Sequence, residues 1–170
     1  MKTTLTQFIQ YLESLAAAHS DIHHDPVDHP AFLRFYEAED PQKAARNQIN
    51  NLPCLMVKDY DFRFQDNGGD NLHKIREIEF LVIDKIGRSA TTEDVYTIWE
   101  RTEEIGDEFV IRMKDDKKAR RNTAIIDFNL SQVKGVPVDF EAGGLFGTSY
   151  TIPVSSVRSN DPDLTKWSDL

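Results

Sequence analysis

The hydrophobic positions near the N-terminus recur at helical spacing. They follow Thr4, which stands three residues before Gln7 in the arrangement of a capping box. The apolar positions then fall on one face of a helix: Leu5, Phe8, Ile9, Leu12 and Leu15. This pattern predicts an amphipathic helix that begins after Thr4 and ends near His19 or Ser20.

The next fifty residues mix loop and strand signals. Residues 19–30 are polar and contain two prolines, which predicts a loop. Residues 32–36 are rich in aromatic side chains and predict a short strand at a sheet edge. Asp40 followed by Pro41 is typical of a helix start, so a short helix is predicted over residues 42–48.

A β-hairpin is predicted in the middle of the chain. Two strand signals come first: the apolar run at residues 55–57, and an alternation of aromatic and polar positions at residues 60–64. Residues 66–71 have the Asp, Asn and Gly content of a turn. A long strand then runs from about Lys74 to Ile86, with an apolar face formed by Ile78, Phe80 and Val82. The simplest arrangement pairs it with the preceding strands across the turn.

A long amphipathic helix is predicted over residues 92–115, capped by Thr91 or Thr92. Its apolar stripe consists of Val95, Ile98, Trp99, Thr102, Ile105, Phe109 and Met113. Five acidic residues lie mostly off that stripe and predict a solvated face: Glu100, Glu103, Glu104, Asp107 and Glu108. Gly106 inside the helix indicates close packing or a bend.

The last third returns to strand patterns. Alternating apolar positions predict one strand around Phe128 and another at residues 136–140. Residues 150–154 predict a final strand, which Pro153 assigns to a sheet edge or a strand end. The whole predicts a single α+β domain over residues 1–154, followed by a polar C-terminal tail over residues 155–170. Its sheet is mainly antiparallel, with one long helix and one N-terminal helix packed on one face.

Composition narrows the class of protein. The chain has 170 residues, 39% of them hydrophobic, which suits one domain with a core of its own. A net charge of −9 disfavours nonspecific nucleic-acid binding, and no apolar run approaches a membrane span. One cysteine and no recognisable signal peptide favour the cytoplasm. A basic cluster is interpreted as a solvated helix end: Lys114, Lys117, Lys118, Arg120 and Arg121.

The loop at residues 19–29 is the main candidate for chemistry. It holds four of the five histidines, which are His19, His23, His24 and His29. Aspartates in the same loop could share a metal ion with them. Their spacing matches no helical metal motif, and a flexible loop loses entropy when it gathers ligands. A solvated loop is therefore the favoured interpretation, and no cofactor is predicted.

Other residues give no catalytic signature. Cys54 lies in an apolar, strand-like run and is interpreted as a buried, inert thiol. The glycines at 143, 144 and 147 precede a strand rather than a helix, so they lack the helix N-terminus that binds phosphate. No nucleophile elbow or Walker lysine is present. These observations favour a protein that is not an enzyme.

The order of predicted elements, and the run of residues 99–106 followed by Arg112 and Met113, carry a family resemblance. The chain resembles tail-terminator or tail-completion proteins of tailed phages and prophages, and uncharacterised prophage-associated bacterial proteins. The resemblance implies a ring-forming structural role, in the cytoplasm or in an assembled phage-like particle. Self-association, or contact with other structural proteins, is accordingly the predicted kind of partnership.

Two alternatives stay open. The histidine and aspartate loop allows a metal-binding module or a metal-dependent enzyme. A small intracellular protein-binding module would instead use exposed aromatic residues, for which four candidates stand out: Phe32, Phe35, Tyr36 and Phe146.

Overall fold

The fold was analysed in a computed structural model. The structure describes residues 4–35, 51–66, 68, 71–87, 89–125, 128–140, 144–159 and 164–166. The short helix predicted at residues 42–48 lies outside these residues, as do Tyr36 and most of the polar tail.

The N-terminal helix α1 spans Leu5–Ala18 and starts as the sequence predicts. The Thr4 hydroxyl accepts a hydrogen bond from the Gln7 backbone, and the Gln7 side chain accepts one from the Thr4 N–H. This reciprocal capping satisfies two donors that the first turn would leave without partners. The helix ends at the predicted position, with His19 as its C-cap.

The described strands form one five-stranded sheet in the order β1-β2-β3-β5-β4. Their bounds are Phe32–Phe35 for β1, Cys54–Asp66 for β2, Asn71–Lys85 for β3, Lys134–Phe140 for β4 and Leu145–Ser159 for β5. Strand β1 pairs with β2 in parallel, and the other three pairings are antiparallel. The predicted hairpin is thus confirmed as β2 and β3, and the predicted edge position of β1 is confirmed as well.

The long helix α2 spans Thr92–Lys118 and is capped by Thr91. It packs on the sheet where Phe80 of β3 and Tyr150 of β5 are register partners with stacked rings, 5.1 Å between centroids. Phe109 of α2 packs against Phe80, and His19 at the end of α1 stacks on Phe109. The two helices therefore share one face of a mainly antiparallel sheet, which confirms the predicted α+β class.

A polar contact joins the two helices. The Tyr11 hydroxyl of α1 donates a hydrogen bond to Asp116 of α2, 2.9 Å away. Asp116 is 4% exposed and also accepts bonds from Arg112 and Arg121. Two short 3-10 helices, Thr123–Ile125 and Leu164–Lys166, complete the described elements.

Strand boundaries differ from the sequence prediction in the hairpin. The two predicted strands before the turn are one continuous strand, β2, with a register shift between Lys58 and Asp61. Such a bulge inserts an extra residue into one strand of an antiparallel pair. A local break in the alternation of side chains therefore marks a bulge here rather than the end of a strand.

The strand predicted around Phe128 is a wrong prediction. Within the described residues, Phe128 forms only an isolated bridge with Val154. Its side chain is buried and its ring lies against that of Phe8, while its carbonyl accepts a hydrogen bond from the Lys117 ammonium. Packing against two helices replaces the strand pairing that the alternation predicts.

Pro153 predicts a sheet edge or a strand end for the last strand, whereas β5 as a whole lies between β3 and β4 and continues to Ser159. Pro153 is accommodated because β4 reaches only as far as the pair Lys134 and Thr151. Beyond that pair, Pro153 is opposite Glu77 of β3, and its carbonyl accepts the Asn129 N–H at 2.9 Å. The proline therefore stands where β5 has a strand neighbour on one side only.

The polar tail begins later than residue 155. Strand β5 continues to Ser159, and Ser156 is buried opposite Lys74 of β3. The Ser156 hydroxyl donates a hydrogen bond to the Lys74 carbonyl, so a polar sequence does not by itself end a strand.

Candidate functional site

The histidine loop is held in place by its own side chains. His19 Nε2 lies 2.8 Å from Glu108 Oε2 of α2, and His19 Nδ1 accepts a hydrogen bond from the Asp21 N–H. A cavity of about 190 Å³ lies beside this pair, lined by Leu15, Ala18, His19, Glu108, Phe109 and Arg112. His19 therefore fastens the end of α1 to α2.

The other loop histidines have separate surroundings. His24 is buried, and its Nδ1 accepts a hydrogen bond from the Ala31 N–H at 3.1 Å. Its Nε2 faces Glu13 of α1, 3.7 Å from the nearer carboxylate oxygen. His23 and His29 lie closer to solvent, with their ring centroids 6.0 Å apart.

The four candidate metal ligands are thus not gathered around one point. Among the described residues, no group of three or more His, Cys, Asp or Glu side chains is placed to hold a metal ion. Two of the four histidines use Nδ1 to accept backbone hydrogen bonds, which positions the loop. The arrangement therefore gives His19 and His24 a structural part in joining the loop to α1, α2 and β1.

Cys54 has the buried environment that the sequence predicts. The residue is fully buried, and burial followed by the nearby Asp84 carboxylate raises the pKa of its thiol. A thiol with a raised pKa is a weak nucleophile at neutral pH. Cys54 is therefore suited to packing in the core.

The most unusual exposed feature of the described surface lies at the far end of the β2–β3 hairpin. We call this segment, residues 61–66 of β2 with residues 72–77 of β3, the aromatic arm. All six β2 residues of the arm are exposed, whereas residues 54–57 of the same strand are buried. The strand passes from the core into solvent, and Phe62 and Phe64 are each 54% exposed.

Three side chains of the arm form an ordered patch. The Phe62 and Phe64 rings meet edge to face, 5.9 Å between centroids. The Lys74 ammonium lies 3.6 Å from the Phe62 ring centroid and 5.7 Å from that of Phe64. A cation–π contact at an exposed site contributes about 0.5–1 kcal/mol and so favours this orientation of the rings. We call Phe62, Phe64 and Lys74 the arm patch.

The opposite side of the arm is polar. Arg63 bonds to Glu77 at 2.9 Å, and both side chains are about half exposed or more. The alternation of β-strands places Arg63 on the face opposite Phe62 and Phe64. Both faces of β2 are therefore exposed to solvent in the arm, and only one of them carries apolar rings.

The long helix distributes its charges unevenly. Of the predicted basic cluster, Arg121 pairs with Asp115 and Asp116, and Lys117 bonds the Phe128 carbonyl. Lys114, Lys118 and Arg120 remain on the exposed surface. The five acidic residues of the predicted solvated face are exposed, although Glu108 pairs with His19 and Asp107 accepts from the Tyr150 hydroxyl.

Among the charged residues that the structure describes, Asp116 is the least exposed, at 4%. Burial alone raises the pKa of this carboxyl, but hydrogen bonds from Arg121, Tyr11 and Arg112 outweigh it and hold the pKa below its ordinary value. Burial and the bond to Asp116 raise the pKa of Tyr11 in turn. The cluster links α1, the end of α2 and the segment after it.

Sequence reasoning missed the arm patch. Of the aromatic contact candidates, Phe32 is partly buried beside His24, and Phe146 is partly buried against Trp99. Nothing described bears on the Phe35 side chain or on Tyr36. The alternation around Phe62 predicts a half-buried strand, and the same pattern does not distinguish it from a strand with solvent on both faces.

No protein-family model matches this chain, and no curated protein sequence matches it. Neither α1 nor α2, the two α-helices of the described segments, is long and apolar enough to cross a membrane. The structure therefore defines this protein as an α+β domain.

Proposed function

We propose that this protein is a non-enzymatic structural component that works by self-association, with the arm patch as one of its contact surfaces. The observation that supports the proposal most directly is the pair of exposed, mutually oriented rings of Phe62 and Phe64. Single exposed apolar residues are ordinary, but adjacent aromatic rings held in one orientation are typical of contact surfaces.

The energetics of the patch fit association of moderate strength. Full burial of one phenylalanine side chain contributes about 1.5–3 kcal/mol relative to exposure, so burying the exposed half of each ring contributes about 1 kcal/mol. The rings need little further ordering, because Lys74 and the edge-to-face contact already orient them. Less conformational entropy is then lost on binding.

In this proposal the chain acts as the tail-terminator or tail-completion proteins do, as a subunit of a closed oligomer. The resemblance rests on the order of elements, with an N-terminal helix, a hairpin, one long helix and a closing pair of strands. A head-to-tail contact between copies closes into a ring when its rotation allows. The competing hypothesis is a protein-binding module, in which the arm patch contacts a different protein instead of a second copy.

The test is the oligomeric state of the full chain, measured by native mass spectrometry and sedimentation over a wide concentration range. We expect a concentration-dependent oligomer, and we expect F62S/F64S to weaken association about 10- to 100-fold. Val27→Ser is the matched control, because Val27 is 83% exposed but lies in the loop after α1.

Three results would contradict different parts of the proposal. A wild-type chain that stays monomeric at every concentration overturns self-association. An oligomer that F62S/F64S leaves intact removes the arm patch from the contact while self-association stands. Equal weakening by Val27→Ser would show that loss of any exposed apolar group suffices, which contradicts a specific patch.

A further inference from the structure

Along the solvent-facing side of α2, acidic side chains come first and basic side chains come last. At about 100° per residue, nine exposed side chains fall within an arc of about 100° on the side opposite the buried residues. Glu93 and Tyr96 lie in the first turns, and Asp107 already accepts a hydrogen bond from the Tyr150 hydroxyl. The other six are Glu100, Glu103, Glu104, Ile111, Lys114 and Lys118. We call this set the α2 stripe. The acidic residues occupy its N-terminal half, the basic residues its C-terminal end, and Ile111, 64% exposed, lies between them.

The pattern does not stabilise the helix that carries it. Side chains three and four residues apart are neighbours on a helix, and those of the stripe have like charge: Glu100 with Glu103 and Glu104, and Lys114 with Lys118. Like-charged pairs at this spacing are destabilising, whereas alternating signs would stabilise. Within the described part of the chain, none of the five charged side chains of the stripe forms an ion pair.

The helix dipole does not account for the pattern either. Its field falls off within the first and last turns. Glu100 lies eight residues after the first helical residue, Thr92, and Lys114 precedes the last turn. Only Lys118 lies where the dipole favours a cation. Most of the stripe therefore lacks a partner within its own helix.

We propose that the α2 stripe is a contact surface for the same stripe of a second copy, arranged antiparallel about a two-fold axis. An antiparallel pairing centred near residue 109 sets Glu100 opposite Lys118 and Glu104 opposite Lys114, and the two-fold axis repeats both pairs. The two Ile111 side chains then flank the axis, about 6 Å apart along the helix direction. In each copy Glu100, Glu104, Lys114 and Lys118 thus meet an opposite charge, as an isologous contact requires, while Glu103 lies level with Asp115 of the second copy.

A second copy is the occupant that this geometry favours. A different protein would need the complementary order of charges along about 27 Å of surface, and the stripe itself already has that order when reversed. This inference rests on the proposed self-association and names one of its contacts. It is separate from the arm patch, which lies on the β2–β3 hairpin.

The first test uses the unaltered chain and zero-length cross-linking of carboxylates to amines. Residues 100 and 118 of one helix are about 27 Å apart, so a Glu100–Lys118 cross-link can form only between two copies. With a mixture of isotopically light and heavy chains, we expect mixed-isotope Glu100–Lys118 and Glu104–Lys114 cross-links. Oligomers that give cross-links elsewhere but never these two overturn the inference.

The second test exchanges charges. In a chain with F62S/F64S, which disables the arm patch, we add either E100K/E104K or K114E/K118E. Each variant alone brings like charges together in the antiparallel pair, so we expect monomers. An equimolar mixture brings opposite charges together at all four positions, so we expect a heterodimer that about 0.5 M salt weakens at least tenfold. Circular dichroism checks that each variant is folded.

The outcomes separate this inference from the proposed function. A mixture that associates no more than its separate components overturns the two-fold contact, while a wild-type oligomer in the same experiment leaves self-association standing. A wild-type chain that is monomeric throughout overturns both. A heterodimer in the mixture, with monomers of each component, supports the antiparallel pairing and is not expected from arm contacts.

Discussion

The Tyr11 hydroxyl donates a hydrogen bond to Asp116 at 2.9 Å and so joins the first helix to the end of the second, 105 residues away in sequence. Asp116 receives further bonds from Arg112 and Arg121, both 3.0–3.1 Å from its oxygens. Loss of a partner from an enclosed, ionised carboxylate of this kind is strongly destabilising, because it leaves a buried charge uncompensated. The contact makes the packing of α1 sensitive to acid.

Asp116 should therefore give the protein a stability that falls in acid. Its folded-state pKa lies below the ordinary value of 3.8. A lowered folded-state pKa means that the contribution to the free energy of unfolding is present above the ordinary value and lost as pH falls through the folded-state pKa. We expect Asp116→Asn to cost about 2 kcal/mol at pH 7 and progressively less below pH 4, measured by urea unfolding. A gap between wild type and variant that is constant from pH 7 to pH 2 would contradict this assignment.

Close packing at glycines should give a graded series of stabilities. A Cβ on Gly106 would lie 2.1 Å from Cε2 of Tyr150, and one on Gly147 would lie 2.0 Å from the Val82 carbonyl oxygen. Alanine favours a helix by about 1 kcal/mol over glycine, but we expect overpacking to dominate, so that Gly106→Ala destabilises by about 1–3 kcal/mol. Gly147→Ala should cost more, because the atom it meets belongs to the backbone of a central strand.

The control for this series is Gly87, around which a Cβ would meet nothing within 4 Å. Gly87→Ala should change the free energy of unfolding by no more than about 0.5 kcal/mol. A stabilising Gly106→Ala would show that the Tyr150 ring moves aside at little cost.

Replacing His24 should lower the stability of the protein, whereas replacing His23 should not. His24→Ala removes a buried ring and the acceptor for the Ala31 N–H, so we expect a loss of about 2 kcal/mol. His23 is exposed and has a positive φ of 46°, which asparagine tolerates, so His23→Asn should be nearly neutral. Thermal unfolding measures both. A rise in melting temperature with added zinc that His23→Asn abolishes would instead favour the metal-binding alternative.

Cys54 should react only when the protein unfolds. The thiol is fully buried and its pKa is raised by burial. We expect iodoacetamide at pH 8 to leave the native chain unmodified over hours and to alkylate it completely in urea, as mass spectrometry would show. Rapid modification of the native chain would mean that β2 opens locally far more often than its central position in the core implies.

The helices and the fold class were determined by the sequence itself. Capping at Thr4 and Thr91 and a regular apolar stripe are local features, and a helix satisfies its backbone hydrogen bonds within the same segment. Hairpin β2–β3 was predictable for a similar reason, since the turn residues lie between its two strands. The buried state of Cys54 also followed from its apolar neighbours.

Tertiary structure decided what depends on distant partners. The central place of β5, the parallel pairing of β1 and the loss of a strand at Phe128 each depend on a segment far away in sequence, which alternation cannot identify. The exposure of Phe62 and Phe64 was likewise undetermined, because the same alternating pattern suits a covered strand and a strand that extends into solvent. The charges of the α2 stripe are visible in the sequence. The apolar stripe of α2 also predicts which side of the helix faces solvent. Tertiary structure decided that the buried side packs on Phe80 and Tyr150, because those partners lie on other segments of the chain.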